Sequence, residues 1–480
     1  MQHRLRLAKA LTPTLLAAGA LCVPMKSGAQ VTDSRGVAPG RTRYAILERT
    51  ISEEMLSKGI PGVAVAVFEE GRVSYRHAFG IADVESGVPM TTELLVQIGS
   101  ATKTVTALLA NEMAARGEVS LDAPVARYVS GLPVRAGALT LRALLSQSSG
   151  LRDEAADSGR QDESALLQYA RAMSDSAFQL PSGEAFSYSN LGFALAGLAL
   201  QEAVHRPFAQ LIDDRVVRPL TMGHATFRPM DAMTYPRAAG HATDPTGRLR
   251  VVRPVANDTR YWPAGYLWAS GDDMALLLRL LLLRGQAGDV PATLAAAADS
   301  VLVSRMPVPG LPNDAQYGYG LFMDQWHGTR RAWHPGSMPG YSTLVEFLPD
   351  QRIGIVVLAN RDGVRLDRIA ETALETLTVL PGEQSPVTAS GESPKETLLR
   401  SLEGVYVSRF PLELRFRDGH LVLKRFGVEL VVTPLGENRY SVQPNVGAGA
   451  RADVFRIVPA AGNRPAYIQM FLWAFPRVRA

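Results

Sequence analysis

Strand-forming segments on either side of a long helical stretch constrain the fold of this chain more than any other feature. The run Val63-Ala64-Val65-Ala66-Val67-Phe68 is continuously apolar and reads as a buried strand. Glu70-Gly71 turns it into a second strand, Val73–Ala78. Strands return only at Arg331–His334, Ser342–Phe347 and Ile353–Ala359. Residues 101–285 in between carry helical patterns separated by Gly and Pro. A helix over Tyr44–Lys58, with Leu47, Ile51 and Met55 at helical spacing, stops at Pro61-Gly62. A second helix, Arg365–Val379, closes this part. Strands that bracket a mostly helical insertion argue for an α/β domain with an all-helical lobe, here 42–380.

At 480 residues the chain has room for more than one domain. Residues 381–397 open on Pro-Gly-Glu-Gln-Ser-Pro and have the composition of a linker. The remainder, 398–480, begins with strict alternation: Leu412, Leu414 and Phe416 on one face, Glu413, Arg415 and Arg417 on the other. Asp418-Gly419 is a hairpin turn into Leu421–Lys424, and short strands continue to Phe475. This predicts a small C-terminal antiparallel β-sheet or barrel. The aromatics Phe455, Tyr467, Phe471, Trp473 and Phe475 are expected to pack that sheet rather than bind a ligand. The polar stretch Arg152–Glu163 reads as a solvated excursion.

Charge and cysteine narrow the function classes. The first thirty residues hold Arg4, Arg6, Lys9 and Lys26 and no acid, which accounts for the whole net charge of +4. The neutral remainder offers no footprint for nucleic acid. The basic start, the apolar run Leu11–Val23 and Ser27-Gly28-Ala29 make residues 1–29 a secretory signal peptide, so the protein is expected to be exported, periplasmic or secreted. That run is too short for a membrane span, and no transmembrane anchor is expected. The single cysteine, Cys22, lies inside the signal, so the mature chain has neither disulfides nor thiol chemistry. The eight histidines show no metal spacing, and no nucleotide fingerprint is present. Neither metal nor cofactor is expected; the oligomeric state is left open.

The chemistry concentrates in Ser100-Ala101-Thr102-Lys103, followed directly by a helical pattern with Val105, Leu108, Leu109 and Met113 on one face. Ser100 is then at a helix N-terminus, where backbone N–H groups favour developing negative charge. Lys103 stands one turn on, within reach of the Ser hydroxyl. A serine hydroxyl needs such a base to become a nucleophile. Alone, the same tetrad also describes a capping serine and a solvated lysine.

Two further elements occur in order. Tyr188-Ser189-Asn190 precedes a Gly/Ala/Leu-rich helix, Leu191–Ala203, and His334-Pro335-Gly336-Ser337 ends a strand. The three together resemble the signatures of the penicillin-recognising serine hydrolases. Leu144–Leu151, Tyr317-Gly318-Tyr319-Gly320 and Pro339-Gly340-Tyr341 are similar to the same superfamily. Over residues 44–380 the chain resembles class C β-lactamase-related hydrolases, the branch with esterases, D-aminopeptidases and DD-peptidases. The resemblance implies a β-lactamase/transpeptidase-like fold, an antiparallel sheet flanked by helices beside the helical lobe. It implies Ser100 as the acylated nucleophile, Lys103 as its proton partner, Tyr188 as base or proton relay and Asn190 as the orienting amide. The oxyanion hole would use the backbone N–H groups of Ser100 and Ser337, with Gly336 and Gln147 beside the substrate.

Two positions depart from the pattern. Many relatives carry lysine where this chain has His334, and histidine where it has Gln147. A histidine is mostly neutral at pH 7, so the site should demand an anionic substrate less and favour esters or small amides. The expected function is an exported serine hydrolase acting through an acyl-enzyme on a small ester, amide or D-amino-acid peptide. The alternatives are a β-lactamase or DD-carboxypeptidase, and a non-catalytic relative that binds cell-wall peptides.

Overall fold

Residues 43–153, 159–162, 164–286, 288–378, 396–436, 438–442, 453–460 and 466–479 are described by a computed structural model. The signal segment lies outside them. So does the expected linker, apart from its last two residues, which open a short helix, Glu396–Ser401.

The first apolar run forms β1 (Gly62–Glu69), hairpinned to β2 (Arg72–Gly80). Among the described residues the main sheet has six more strands: β3 (Met306–Pro307), β4 (Gln316–Tyr317), β5 (Phe322–Trp326), β6 (Thr329–Met338), β7 (Tyr341–Leu348) and β8 (Ile353–Ala359). Their spatial order is β2-β1-β8-β7-β6-β5-β4-β3, with all paired neighbours antiparallel. The chain therefore returns after the helical insertion to lay β8 beside β1, with Val65 opposite Val357.

Strand alternation sorts the side chains onto two faces. Val63, Val65, Val67, Ile355 and Val357 pack under α1 (Ala45–Lys58) and the closing helix Asp367–Leu377. Ala64, Ala66, Phe68, Val356 and Leu358 face the core shared with the helical lobe. Both faces are covered, which is why these strands read as unbroken apolar runs. Each fully buried Val or Ile contributes about 1.5–3 kcal/mol relative to exposure.

Two features of the sheet differ from the sequence expectation. β3 to β5 were not anticipated, because two of them are only two residues long and leave no periodicity to detect. The strand expected to end at His334 continues to Met338. Its pairing with β5 stops at Trp333, so Pro335 sits on an edge where no partner strand requires its missing N–H.

The C-terminal region is a closed antiparallel barrel of eight strands, from Gly404–Val407 to Trp473–Arg479. Leu412, Leu414, Leu421, Leu423, Tyr440, Phe455, Ile468 and Phe475 fill its interior. Asp418 and Gly419 take φ of 50° and 80°, the two positive angles of the hairpin expected there. Closure joins the first and last strands at Tyr406 and Arg477 and leaves the barrel no open edge. The Phe471-Leu472 turn before its last strand meets the segment around Tyr188. Tyr188 N–H donates to the Leu472 carbonyl at 2.8 Å, and Gln469 Nε2 to that of Phe186 at 3.0 Å.

Candidate active site

The Ser-x-x-Lys segment enters its helix through a short 3-10 turn, Gly99–Ala101, which leads into α2 (Thr102–Ala115). Ser100 is thus in the first turn, partly open, while Ala101, Thr102 and Lys103 are buried. Two glycines make this turn possible. Gly99 has φ +54°, and a Cβ on it would stand 2.5 Å from the Ser337 nitrogen. A Cβ on Gly336 would stand 1.9 Å from the Ile98 carbonyl oxygen. β6 therefore lies against the Ser100 turn with no side chain between them. The tight Pro339-Gly340 hairpin makes Met338 and Tyr341 a hydrogen-bonded pair and Ser337 and Ser342 a non-hydrogen-bonded one. That alternation turns the Ser337 N–H away from β7, onto the edge beside Gly99.

Lys103 is fully buried. Its Nζ lies 3.1 Å from Ser100 Oγ, 2.6 Å from Asn190 Oδ1 and 2.7 Å from the Ala264 carbonyl. The rings of Tyr188 and Phe193 stand 4.7 and 5.6 Å away. Burial lowers the ammonium pKa from 10.5 to about 7, against an opposing pull from the Asp153 charge. As an ammonium Lys103 donates to all three oxygens; once neutral, its two N–H groups can keep Asn190 and Ala264 while the lone pair accepts from the Ser100 hydroxyl.

Tyr188 is also buried, with its hydroxyl near Ser100. Burial pushes the phenol well above its usual range despite the opposing influence of Ser100, so it stays protonated. Of the two bases expected from the sequence, Lys103 is the one whose environment prepares it near neutral pH. Asn190 opens the helix Asn190–Val204, where Ser189 is the N-cap and accepts from Gly192 N–H at 3.1 Å.

His334 lies on the same face of β6 as Gly336 but is only 1% exposed. Its Nδ1 donates to the Pro335 carbonyl at 2.7 Å, so Nε2 is the acceptor, and it takes the Tyr317 hydroxyl at 3.2 Å. Burial first, and the Lys103 charge second, lower its pKa to about 3. The ring is neutral, with both nitrogens engaged by the protein. Gln147, expected beside the substrate, is completely buried instead. Its Oε1 accepts from Ser189 N–H at 2.8 Å and its carbonyl from Ser187 N–H, so it braces the Tyr-Ser-Asn segment.

Three residues of the site escaped the sequence reading. Asp153 is the second residue of the stretch expected to be solvated, yet its carboxylate is 2% exposed. Its Oδ1 accepts from Asn190 N and Nδ2 at 3.1 and 2.9 Å. Its Oδ2 accepts from Arg409 Nη1 at 3.2 Å and Trp473 Nε1 at 3.1 Å, both in the barrel. Trp473 is therefore more than sheet packing. Among the described residues no group of three or more His, Cys, Asp or Glu could hold a metal ion. A cavity of about 590 Å³ in the helical lobe, bordered by Ile212, Met222, Phe227 and Tyr235, touches none of these residues.

Comparison with known proteins follows the same outline. The Beta-lactamase family model matches residues 47–379. Protein flp of Staphylococcus aureus strain MW2 is 27% identical over 333 residues, 67% of this chain and 64% of that protein. The chain thus spans less than two thirds of that relative's length. Penicillin-binding protein 4 of Amycolatopsis lactamdurans is 27% identical over 364 residues, 72% of this chain and 93% of that one. The crystal structure of SurE superposes with a TM-score of 0.75 at 24% identity, over 91% of this chain and 98% of that one. That likeness of fold takes in the barrel as well as the sheet.

Proposed function

The chain belongs to the Beta-lactamase family of serine hydrolases, and from that premise we propose that it hydrolyses small esters or amides through an acyl-enzyme on Ser100. The observation that carries this reading is the fully buried Lys103 amine, 3.1 Å from Ser100 Oγ and poised to be neutral near pH 7. In the proposed cycle the Ser100 proton passes to Lys103 Nζ as Oγ bonds to the substrate carbonyl carbon. The carbonyl electron pair moves onto oxygen, where the Ser100 and Ser337 N–H groups receive it. One such donor is worth on the order of 10²–10³ in rate. Collapse expels the leaving group, which takes the Tyr188 hydroxyl proton, and Lys103 returns its proton to Tyr188. Deacylation repeats these steps with water as nucleophile. Asn190 holds the amine throughout.

The substrate class rests on charge. Where a lysine would grip a carboxylate, His334 is neutral with both ring nitrogens occupied, which favours acyl donors without a required carboxylate. A second reading, action on β-lactams or D-alanyl peptides, draws on the name of the 27% identical penicillin-binding protein 4. The basic and apolar leader of residues 1–29 supports export to the periplasm or medium, and no described helix is long and apolar enough to cross a membrane.

A panel of p-nitrophenyl esters, D-amino amides and a chromogenic cephalosporin tests the reading. Short esters should give the highest kcat/KM, and Lys103→Ala should lower it by on the order of 10²–10⁴. A cephalosporin turned over as fast as the esters would move the assignment to the second reading.

A further inference from the structure

Asp153 has a division of contacts that nothing in the catalytic cycle uses. One carboxylate oxygen is filled entirely by Asn190, and the other by two barrel side chains, Arg409 and Trp473. We infer that Asp153 is a positioning residue for Lys103, and that the C-terminal barrel completes the active site by holding this carboxylate in place. The inference rests on the hydrolase reading above and extends it to the barrel.

The argument starts from the Asn190 amide. Its two ends have the same shape, and only a partner with fixed polarity decides which one faces Lys103. A carboxylate can only accept, so Asp153 Oδ1 binds Nδ2 and leaves Oδ1 of Asn190 for the amine, at 2.6 Å. The reversed amide would set its N–H groups against Lys103 and its oxygen against a carboxylate. Asp153 also accepts the Asn190 backbone N–H, which pins the first residue of that helix.

Holding a carboxylate at 2% exposure requires partners for its remaining lone pairs. The barrel supplies both: Arg409, from the turn between its first two strands, and the indole N–H of Trp473, the first residue of its last strand. The Arg409 guanidinium lies 5.4 Å from the Trp473 ring, which steadies the pair. The same turn region binds Tyr188 through the Leu472 carbonyl and Ser187 through Ala474 N–H. Positioning therefore reaches Lys103 and Tyr188 from one barrel edge.

Electrostatics give this role a signature that packing alone would not. The groups facing Lys103 are Ser100, the Tyr188 phenol, the Asn190 amide, the Ala264 carbonyl, neutral His334 and the Asp153 carboxylate. Of these, Asp153 is the charge that raises the lysine, and the Arg409 guanidinium 3.2 Å from its carboxylate should offset part of that pull. Asp153→Asn should therefore move the acid limb of kcat/KM to lower pH, and Arg409→Gln should move it to higher pH.

The test uses the full chain and a p-nitrophenyl ester, with pH profiles of wild type, Asp153→Asn, Asp153→Ala, Arg409→Gln and Trp473→Phe, and with Lys103→Ala as control. Asp153→Ala should lower kcat by on the order of 10²-fold with KM nearly unchanged, the scale of a misplaced catalytic group. Trp473→Phe, which keeps an aromatic ring and loses one donor, should lower kcat several-fold. If Asp153→Ala does not fold, the near-isosteric Asp153→Asn and Trp473→Phe decide. Wild-type kcat and an unmoved acid limb in those two variants, with Lys103→Ala inactive, would overturn the inference alone. Near-normal turnover in Lys103→Ala would instead overturn the hydrolase reading beneath it.

Discussion

Replacing Lys103 with methionine exposes the electrostatic state of this amine in the pH dependence of stability. The side chain is fully buried, and burial lowers its pKa from 10.5 to about 7. Between those values the unfolded chain holds a proton that the folded chain has released. Wild-type stability must then rise with pH across this window, and the term is flat below pH 7, where both states are protonated. With one unit worth about 1.4 kcal/mol, the wild type should gain about 2 kcal/mol between pH 7 and 9 relative to Lys103→Met. The methionine also leaves Asn190 Oδ1 and the Ala264 carbonyl without their lysine donor, at about 1–3 kcal/mol each. That loss does not vary with pH over this range, so only the slope of the difference is diagnostic. Urea unfolding of both proteins at pH 6, 7, 8 and 9, with matched m values, gives the slope directly. The acid limb of wild-type kcat/KM should report the same value near 7, because protonation removes the lone pair that accepts the Ser100 proton. Parallel stability curves for the two proteins would refute the reasoning, since Lys103 would then titrate alike folded and unfolded.

Gly336→Ala would drive a Cβ to 1.9 Å from the Ile98 oxygen, so it should cost about 1–3 kcal/mol in urea unfolding and on the order of 10²-fold in kcat by displacing the nucleophile turn. His334→Lys should shift the kcat/KM ratio toward carboxylate-bearing substrates by about 1–3 kcal/mol, measured as cephalosporin against ester; an unchanged ratio would remove His334 from the account of specificity. Arg331→Met should cost about 3–5 kcal/mol in urea, because it leaves Asp324 and Glu346 buried together, the latter already pushed up to about 7 by burial.

Legibility followed sequence distance. Ser100 and Lys103 share one helical turn, so spacing placed that pair within reach, whereas Tyr188 and Asn190 were singled out by the resemblance to the penicillin-recognising hydrolases. The long strands β1 and β8 are apolar on both faces and announced themselves. β3 and β4 are two residues each and could not. The run of β6 through Pro335 was hidden because a proline ordinarily ends a strand, and only the loss of β5 as a partner permits it here. Arg409 and Trp473 lie 256 and 320 residues from Asp153. No pattern in the sequence links an aspartate in a polar loop to an arginine and a tryptophan in another sheet. Burial holds His334 neutral, and its engagement by Tyr317 depends on strand pairing that a single sequence does not reveal.

The central claim is that Ser100 becomes acylated, and intact-mass spectrometry with a fluorophosphonate probe, followed by peptide mapping, tests it most directly. One adduct per chain should map to the peptide carrying Ser100, and Ser100→Ala, still folded, should take up no label and turn over no ester. An unlabelled wild type would leave a binding protein in a hydrolase fold, and an adduct on another serine with Ser100→Ala still active would contradict the assignment outright.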